Sequence, residues 1–93
     1  MTRPEPIDEL RDRIGANDRA IVAGVNERLR LVAQLWRLKA EQGVARLDPE
    51  RERRLRDDLL AANDGPLSEE GLASLVSELL ALTKRELGER GSG

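Results

Sequence analysis

The chain has 93 residues, of which 39% are hydrophobic and 37% are charged, with a net charge of −2 and a single aromatic residue, Trp36. Without a basic excess or stacking aromatic side chains, it lacks the features of a nucleic-acid-binding protein. Since cysteine and histidine are both absent, disulfides, thiolate metal sites and histidine-based catalysis are excluded, and we expect neither a metal nor a cofactor.

A long first helix is predicted over residues 6–42. Its apolar residues follow the a and d positions of a heptad pattern, which is typical of a packing seam between helices. These residues are Ile7, Leu10, Ile14, Ile21, Leu31, Leu35 and Leu38. Gly43 follows the last periodic residue, as expected where a helix ends.

Two shorter helices are predicted over residues 48–63 and 68–89. Asp48 and Pro49 are an N-cap acceptor and a proline at the first helical position. Ser68 is the corresponding cap of the third helix, and residues 63–66 form a turn between the two helices. Residues 90–93 are predicted to be a flexible tail. The pattern indicates one all-α domain over residues 1–93.

The length of the first helix predicts a dimer. At 1.5 Å per residue it spans about 55 Å, and the two shorter helices cannot cover its apolar face alone. A chain of this size also buries a small fraction of its surface, so a partner subunit is the remaining source of a core. We therefore expect an intertwined helical homodimer.

One cation interrupts the apolar seam, and a second lies on nearly the same helix face. Arg28 stands on the heptad frame, and Lys39 follows eleven residues later, so both project from nearly the same face. A charge on a packing face costs free energy unless an anion meets it. Two interpretations remain open: a partly buried salt bridge, with Glu27 or an acid of the second helix, or a pocket for an anionic ligand.

Arg11 favours a site shared between chains. It lies about 25 Å from Arg28 along the same helix, so one small ligand cannot reach both within one chain. In an antiparallel dimer centred near Arg19 and Ala20, Arg11 of one chain would lie beside Arg28 of the other. Such a site would suit a dicarboxylate, because arginine binds carboxylates through paired hydrogen bonds.

The sequence resembles the small, all-helical AroQ-type chorismate mutases over about residues 6–88. The motifs that carry the resemblance are Ile7-Asp8-Glu9-Leu10-Arg11, Glu27-Arg28, Arg37-Leu38-Lys39 and Asp48-Pro49-Glu50-Arg51-Glu52. The resemblance implies a concerted rearrangement of chorismate to prephenate. This reaction needs no nucleophile, metal or proton shuttle, so electrostatic preorganisation and conformational restriction are sufficient for catalysis.

The resemblance also implies roles for individual residues. Arg11 of the partner chain and Arg28 would bind the two substrate carboxylates, with Arg51 supporting one of them. Lys39 would donate to the ether oxygen, and Glu52, together with the backbone of Asp48, would receive the ring hydroxyl. Lys39, Arg28 and Glu52 are thus the predicted catalytic residues.

Thr83 stands where the family often has serine near a substrate carboxylate. Three further positions depart from the family pattern: Leu87, Trp36 and Asn17. Leu87 occupies a substrate-contacting position where the family often has glutamine or glutamate, a second donor at the ether oxygen. Trp36 replaces a residue that is usually small, and core filling is the one role that the sequence indicates for it. Asn17 replaces a residue that is usually aliphatic, and a buried polar contact there would fix the register of the dimer.

Other functions remain open on the same scaffold. The substrate could be 4-amino-4-deoxychorismate, whose ring amine would face Glu52, and an isochorismate-pyruvate lyase is a further alternative. A non-catalytic helical dimer is the alternative from another class. Some mutases of this type gain activity when bound to the first enzyme of the aromatic pathway, a DAHP synthase, which is therefore an expected partner.

The remaining expectations concern location. The first twenty residues carry charges throughout, which is atypical of a signal peptide, and no apolar run approaches the ~20 residues needed to span a bilayer. We expect a cytoplasmic protein that binds neither nucleic acid nor membranes.

Overall fold

A computed structural model describes residues 5–89, which form three α-helices and a terminal π-helical segment. The first helix, α1, comprises Pro6–Gln42, with Pro6 at its start and two acidic residues in its first turn. It ends at Gly43, whose φ of 70° lies in the left-handed region that favours glycine. The predicted end of the long helix is therefore confirmed.

The caps of the two shorter helices are also those expected from the sequence. Helix α2 comprises Pro49–Ala62, and the Asp48 carboxylate accepts a hydrogen bond from the Arg51 backbone N–H at 3.2 Å. Helix α3 comprises Glu69–Thr83, and the Ser68 hydroxyl accepts from the Gly71 N–H at 3.0 Å. Each cap satisfies a backbone donor that has no partner within its helix.

The third predicted helix, 68–89, changes its geometry near its end. After Thr83 the chain continues as a π-helix over Lys84–Glu89. A π-helix has more residues per turn than an α-helix, so side chains beyond Thr83 lie on different faces from those of a regular continuation. The predicted flexible tail, 90–93, lies outside the described residues.

The three helices bury little apolar surface within one chain. Helix α3 packs against α2, and the π-helical segment packs against α1. The buried apolar side chains of the described residues are Leu72 and Val76, both on α3. By contrast, the heptad positions of α1 remain about half exposed, with Ile7 and Ile14 each at 59%. The fold extends over 64 × 29 × 18 Å.

The all-helical prediction with one long and two shorter helices is confirmed. No strand occurs between residues 5 and 89. Within the same range, no helix combines the length and apolar character required to cross a membrane.

Candidate active site

A cavity of about 260 Å³ lies between the second half of α1, the loop 43–48, the start of α2 and the end of α3. Its apolar wall is formed by aliphatic side chains of all three helices, including Val32, Leu55 and Leu80. Six residues predicted from the sequence line it: Arg28, Lys39, Asp48, Arg51, Glu52 and Thr83. The structure therefore brings together side chains that are up to 55 positions apart in the sequence.

Arg28 is held in the cavity by Thr83. Its guanidinium donates a 2.6 Å hydrogen bond to the Thr83 hydroxyl oxygen, and that hydroxyl in turn donates to the Leu79 carbonyl at 2.7 Å. Thr83 is buried, at 6% exposure, and Arg28 is half-buried. Because a threonine hydroxyl can donate one bond while accepting another, it fixes the guanidinium without neutralising its charge.

Lys39 lies at the end of α1, on the face that carries Arg28. Its ammonium donates a 3.2 Å hydrogen bond to the backbone carbonyl of Arg46. Neither Lys39 nor Arg28 forms an ion pair with an acidic side chain in the part of the chain that the structure describes. Glu27 pairs with Arg30 instead, at 3.1 Å. The salt-bridge interpretation is therefore wrong for the acidic partners described within residues 5–89.

The first turn of α2 supplies the opposite side of the cavity. The Asp48 carboxylate is occupied by its N-cap bond to Arg51, and its carbonyl accepts from the Glu52 backbone N–H at 3.0 Å. This cap directs the side chains of Arg51 and Glu52 from the same turn toward the cavity. Glu52 is half-buried and Arg51 is exposed.

Positive charge predominates in the cavity. Two carboxylates, Asp48 and Glu52, line it. The cations are Arg28, Lys39, Arg46, Arg51 and Lys84. The cavity thus carries an excess of three positive charges in a chain whose net charge is −2. The positive potential of the cavity would attract an anionic ligand. The apolar wall strengthens this attraction because it lowers the local dielectric constant.

Two of the predicted site residues lie outside this cavity. Arg11 is 74% exposed and forms a 3.7 Å ion pair with Asp8, near the opposite end of α1. Leu87 is half-buried in the π-helical segment but is not part of the cavity wall. The structure of a single chain therefore assembles the site without these two side chains.

Among the charged and aromatic lining residues, three were missed by the sequence analysis. Lys84 follows Thr83 directly, and Arg46 lies in a loop without a periodic pattern. Trp36 lines the cavity, and the guanidinium carbon of Arg46 lies 4.8 Å from the centroid of its ring. The spacing of Trp36 from Lys39, three residues on one helix face, is the signal that could have placed it in the site.

Comparisons with known proteins agree with this architecture. A family model described as chorismate mutase type II matches residues 10–86. Form I of the chorismate mutase from Thermus thermophilus is 34% identical and has a TM-score of 0.81, covering 85% of this chain and 99% of that chain. Form II is 35% identical with a TM-score of 0.84, covering 92% of this chain and 97% of that chain.

A comparison with curated proteins gives no significant match. The family model nevertheless covers most of the chain, and the similarity to both solved structures extends over nearly their whole length. The chain therefore belongs to the chorismate mutase type II (AroQ) family, and it is an isomerase of the chorismate mutase type.

Proposed function

We propose that this chain converts chorismate to prephenate in the cavity between its three helices. The observation that carries the proposal is the convergence of Arg28, Lys39 and Arg51 on one cavity, with no acidic partner for the first two among the described residues. Chorismate carries two carboxylates, which such a set of cations would bind. The apolar wall would exclude water from the reacting ring.

The arginines bind and orient the substrate. Arg28, fixed by its 2.6 Å hydrogen bond to Thr83, presents its remaining N–H groups to one carboxylate. Arg51 supports a carboxylate from the first turn of α2. Holding both carboxylates selects the compact substrate conformer in which the bond-forming carbon atoms approach each other, and this lowers the entropic part of the barrier.

Lys39 stabilises the charge that develops during the rearrangement. As the ether carbon–oxygen bond breaks, negative charge grows on that oxygen, and the Lys39 ammonium donates to it. Glu52 accepts a hydrogen bond from the ring hydroxyl, which the backbone of Asp48 also binds. No covalent bond to the protein forms and no proton is transferred, which agrees with a site built from arginine, lysine and carboxylate side chains.

We also propose that the functional unit is an intertwined homodimer with shared sites. The apolar frame of α1 is about half exposed along its length, from Ile7 at 59% to Leu38 at 53%. A second copy of α1 carries the same frame and would cover it, removing this surface from water at a gain of ~25 cal/mol per Å². The antiparallel arrangement would place the partner's Arg11 beside Arg28, where it completes the clamp on the second carboxylate.

The alternative substrate is 4-amino-4-deoxychorismate. The observation in its favour is the pair of carboxylates in the cavity, because Glu52 or Asp48 would meet a ring ammonium with opposite charge. Competition between the two substrates, measured as the ratio of their kcat/KM values, decides between them.

The direct test is to incubate the purified protein with chorismate and identify the product by mass and retention against prephenate. We expect prephenate to form faster than in a protein-free incubation, which measures the uncatalysed conversion, and more slowly with a Lys39→Ala protein. Sedimentation velocity on the same preparation is expected to give a dimer. Chorismate that remains unchanged, with and without a DAHP synthase, would contradict the proposal.

A further inference from the structure

In the loop between α1 and α2, Arg46 contacts both Trp36 and Lys39 of α1. Its carbonyl accepts the hydrogen bond from Lys39, and its guanidinium lies over the Trp36 ring at 4.8 Å. We propose that Trp36 and Arg46 are positioning residues that hold the Lys39 ammonium in place for the reaction. This inference rests on the proposed function, because it concerns the cation assigned to the ether oxygen.

The arrangement follows from the spacing of the three residues. Trp36 and Lys39 are three positions apart on α1, so the ring and the ammonium both face the loop. Arg46 spans the two, with its backbone on Lys39 and its side chain on Trp36. Among the described residues, 45–47 make no other hydrogen bond or ring contact. The bond to Lys39 and the contact with Trp36 are thus the two described interactions of these types in the middle of this loop.

A fixed carbonyl matters to Lys39 because an ammonium has three donors and no acceptor. Lys39 is also a long side chain with four rotatable bonds, and in an open cavity it would sample several positions. The bond to the Arg46 carbonyl restricts it while leaving two N–H groups for a ligand. Donors that are in place before charge develops stabilise a transition state more effectively than donors that must reorganise.

The side chain of Arg46 therefore influences Lys39 indirectly, by setting the position of the Arg46 backbone carbonyl. Every residue at this position has a carbonyl, but the location of that carbonyl depends on the guanidinium lying on Trp36. The competing role for Arg46 is a direct bond to a substrate carboxylate, because its guanidinium also lines the cavity. The two roles differ in kinetics: a binding residue affects KM, whereas a residue that positions a transition-state donor affects kcat.

The test is a double-mutant cycle of Trp36→Leu and Arg46→Gln, with chorismate as substrate. For each single variant we expect kcat to fall roughly threefold to tenfold, while KM changes less than about twofold. A loss of this size is expected when one weak cation–π contact, and the ordering of the loop that depends on it, is removed. The double variant should be no slower than the worse single variant, because both changes remove the same contact. Trp36→Phe keeps an aromatic face and should retain most of the activity.

Arg53→Gln is the matched control. It removes the same charge from an exposed position of α2 that is not part of the cavity, where Arg53 forms a local pair with Glu50. We expect wild-type kcat and KM for this variant. A rise in KM without loss of kcat for Arg46→Gln, or additive losses in the double variant, would overturn the positioning role.

A second measurement does not depend on turnover. Trp36 is the single aromatic residue, so the intrinsic fluorescence of the protein reports directly on the ring that contacts Arg46. Without substrate, Arg46→Gln should alter the emission intensity or maximum, and Arg53→Gln should not. Identical emission from all three proteins would overturn the contact itself. A wild-type protein inactive on chorismate would instead overturn the proposed function, while the fluorescence comparison would still decide whether Arg46 lies on Trp36.

Discussion

The guanidinium of Arg28 donates a 2.6 Å hydrogen bond to the hydroxyl of Thr83, 55 positions later in the chain. This bond connects the middle of α1 to the end of α3 at the point where the π-helical segment begins. The hydroxyl also donates to the Leu79 carbonyl, so its orientation is set by its own helix. Thr83 therefore determines where the charge of Arg28 lies in the cavity.

Thr83→Val is expected to weaken both stability and substrate binding. The substitution preserves shape but leaves the half-buried guanidinium without this acceptor, at a cost of about 1–2 kcal/mol in the free energy of unfolding. Urea denaturation measures the loss, and a rise in KM for chorismate should accompany it. Thr83→Ser, which keeps the hydroxyl, is the control and should lie within about 0.5 kcal/mol of wild type. Equal stability of the valine and wild-type proteins would show that the bond contributes nothing.

Lys39→Ala is expected to lower kcat by about 10²–10³, the usual effect of losing one donor to a developing oxyanion. The side chain is half-buried at the end of α1 and makes one hydrogen bond to the loop, so the helices should remain folded. Steady-state kinetics give the rate, and circular dichroism with sedimentation verifies the fold and the dimer. Unchanged turnover would mean that another cation, such as Lys84, performs this role.

Mixed dimers test whether the sites are shared. Arg11→Ala and Arg28→Ala homodimers should each be nearly inactive, because each lacks one carboxylate-binding arginine at both sites. After subunit exchange, half of the dimers are hybrids with one intact site, so activity should return to about one quarter of wild type. Activity that does not return on mixing, although labelled subunits exchange, would place Arg11 and Arg28 in the same chain's site.

Leu87→Gln is expected to change turnover by less than about twofold. The family resemblance suggests that glutamine here would restore a donor worth about 10²–10³ in rate. In this chain, however, residue 87 belongs to the π-helical segment and is not part of the cavity wall. The measurement is kcat for the variant beside wild type and Leu87→Met, which controls for the change of shape. A large gain in kcat restricted to Leu87→Gln would show that this side chain reaches the substrate.

Much of the fold was predictable from the sequence because it depends on local interactions. The C-terminal end of α1 and the starts of α2 and α3 are set by Gly43, Asp48 and Ser68, each acting on backbone groups within a few residues. The common face of Arg28 and Lys39 follows from helical periodicity alone. These features would be the same in any packing of the three helices.

The assembly of the site was decided by tertiary structure. The bond from Arg28 to Thr83 and the contact of Arg46 with Trp36 join segments whose relative position no periodic pattern specifies. The π-helical segment after Thr83 likewise keeps Leu87 out of the cavity wall. Sequence periodicity determines which face of a helix a side chain occupies. Only the packing of one helix or loop against another determines which face it meets, and in this protein that packing gathers the cations into one cavity.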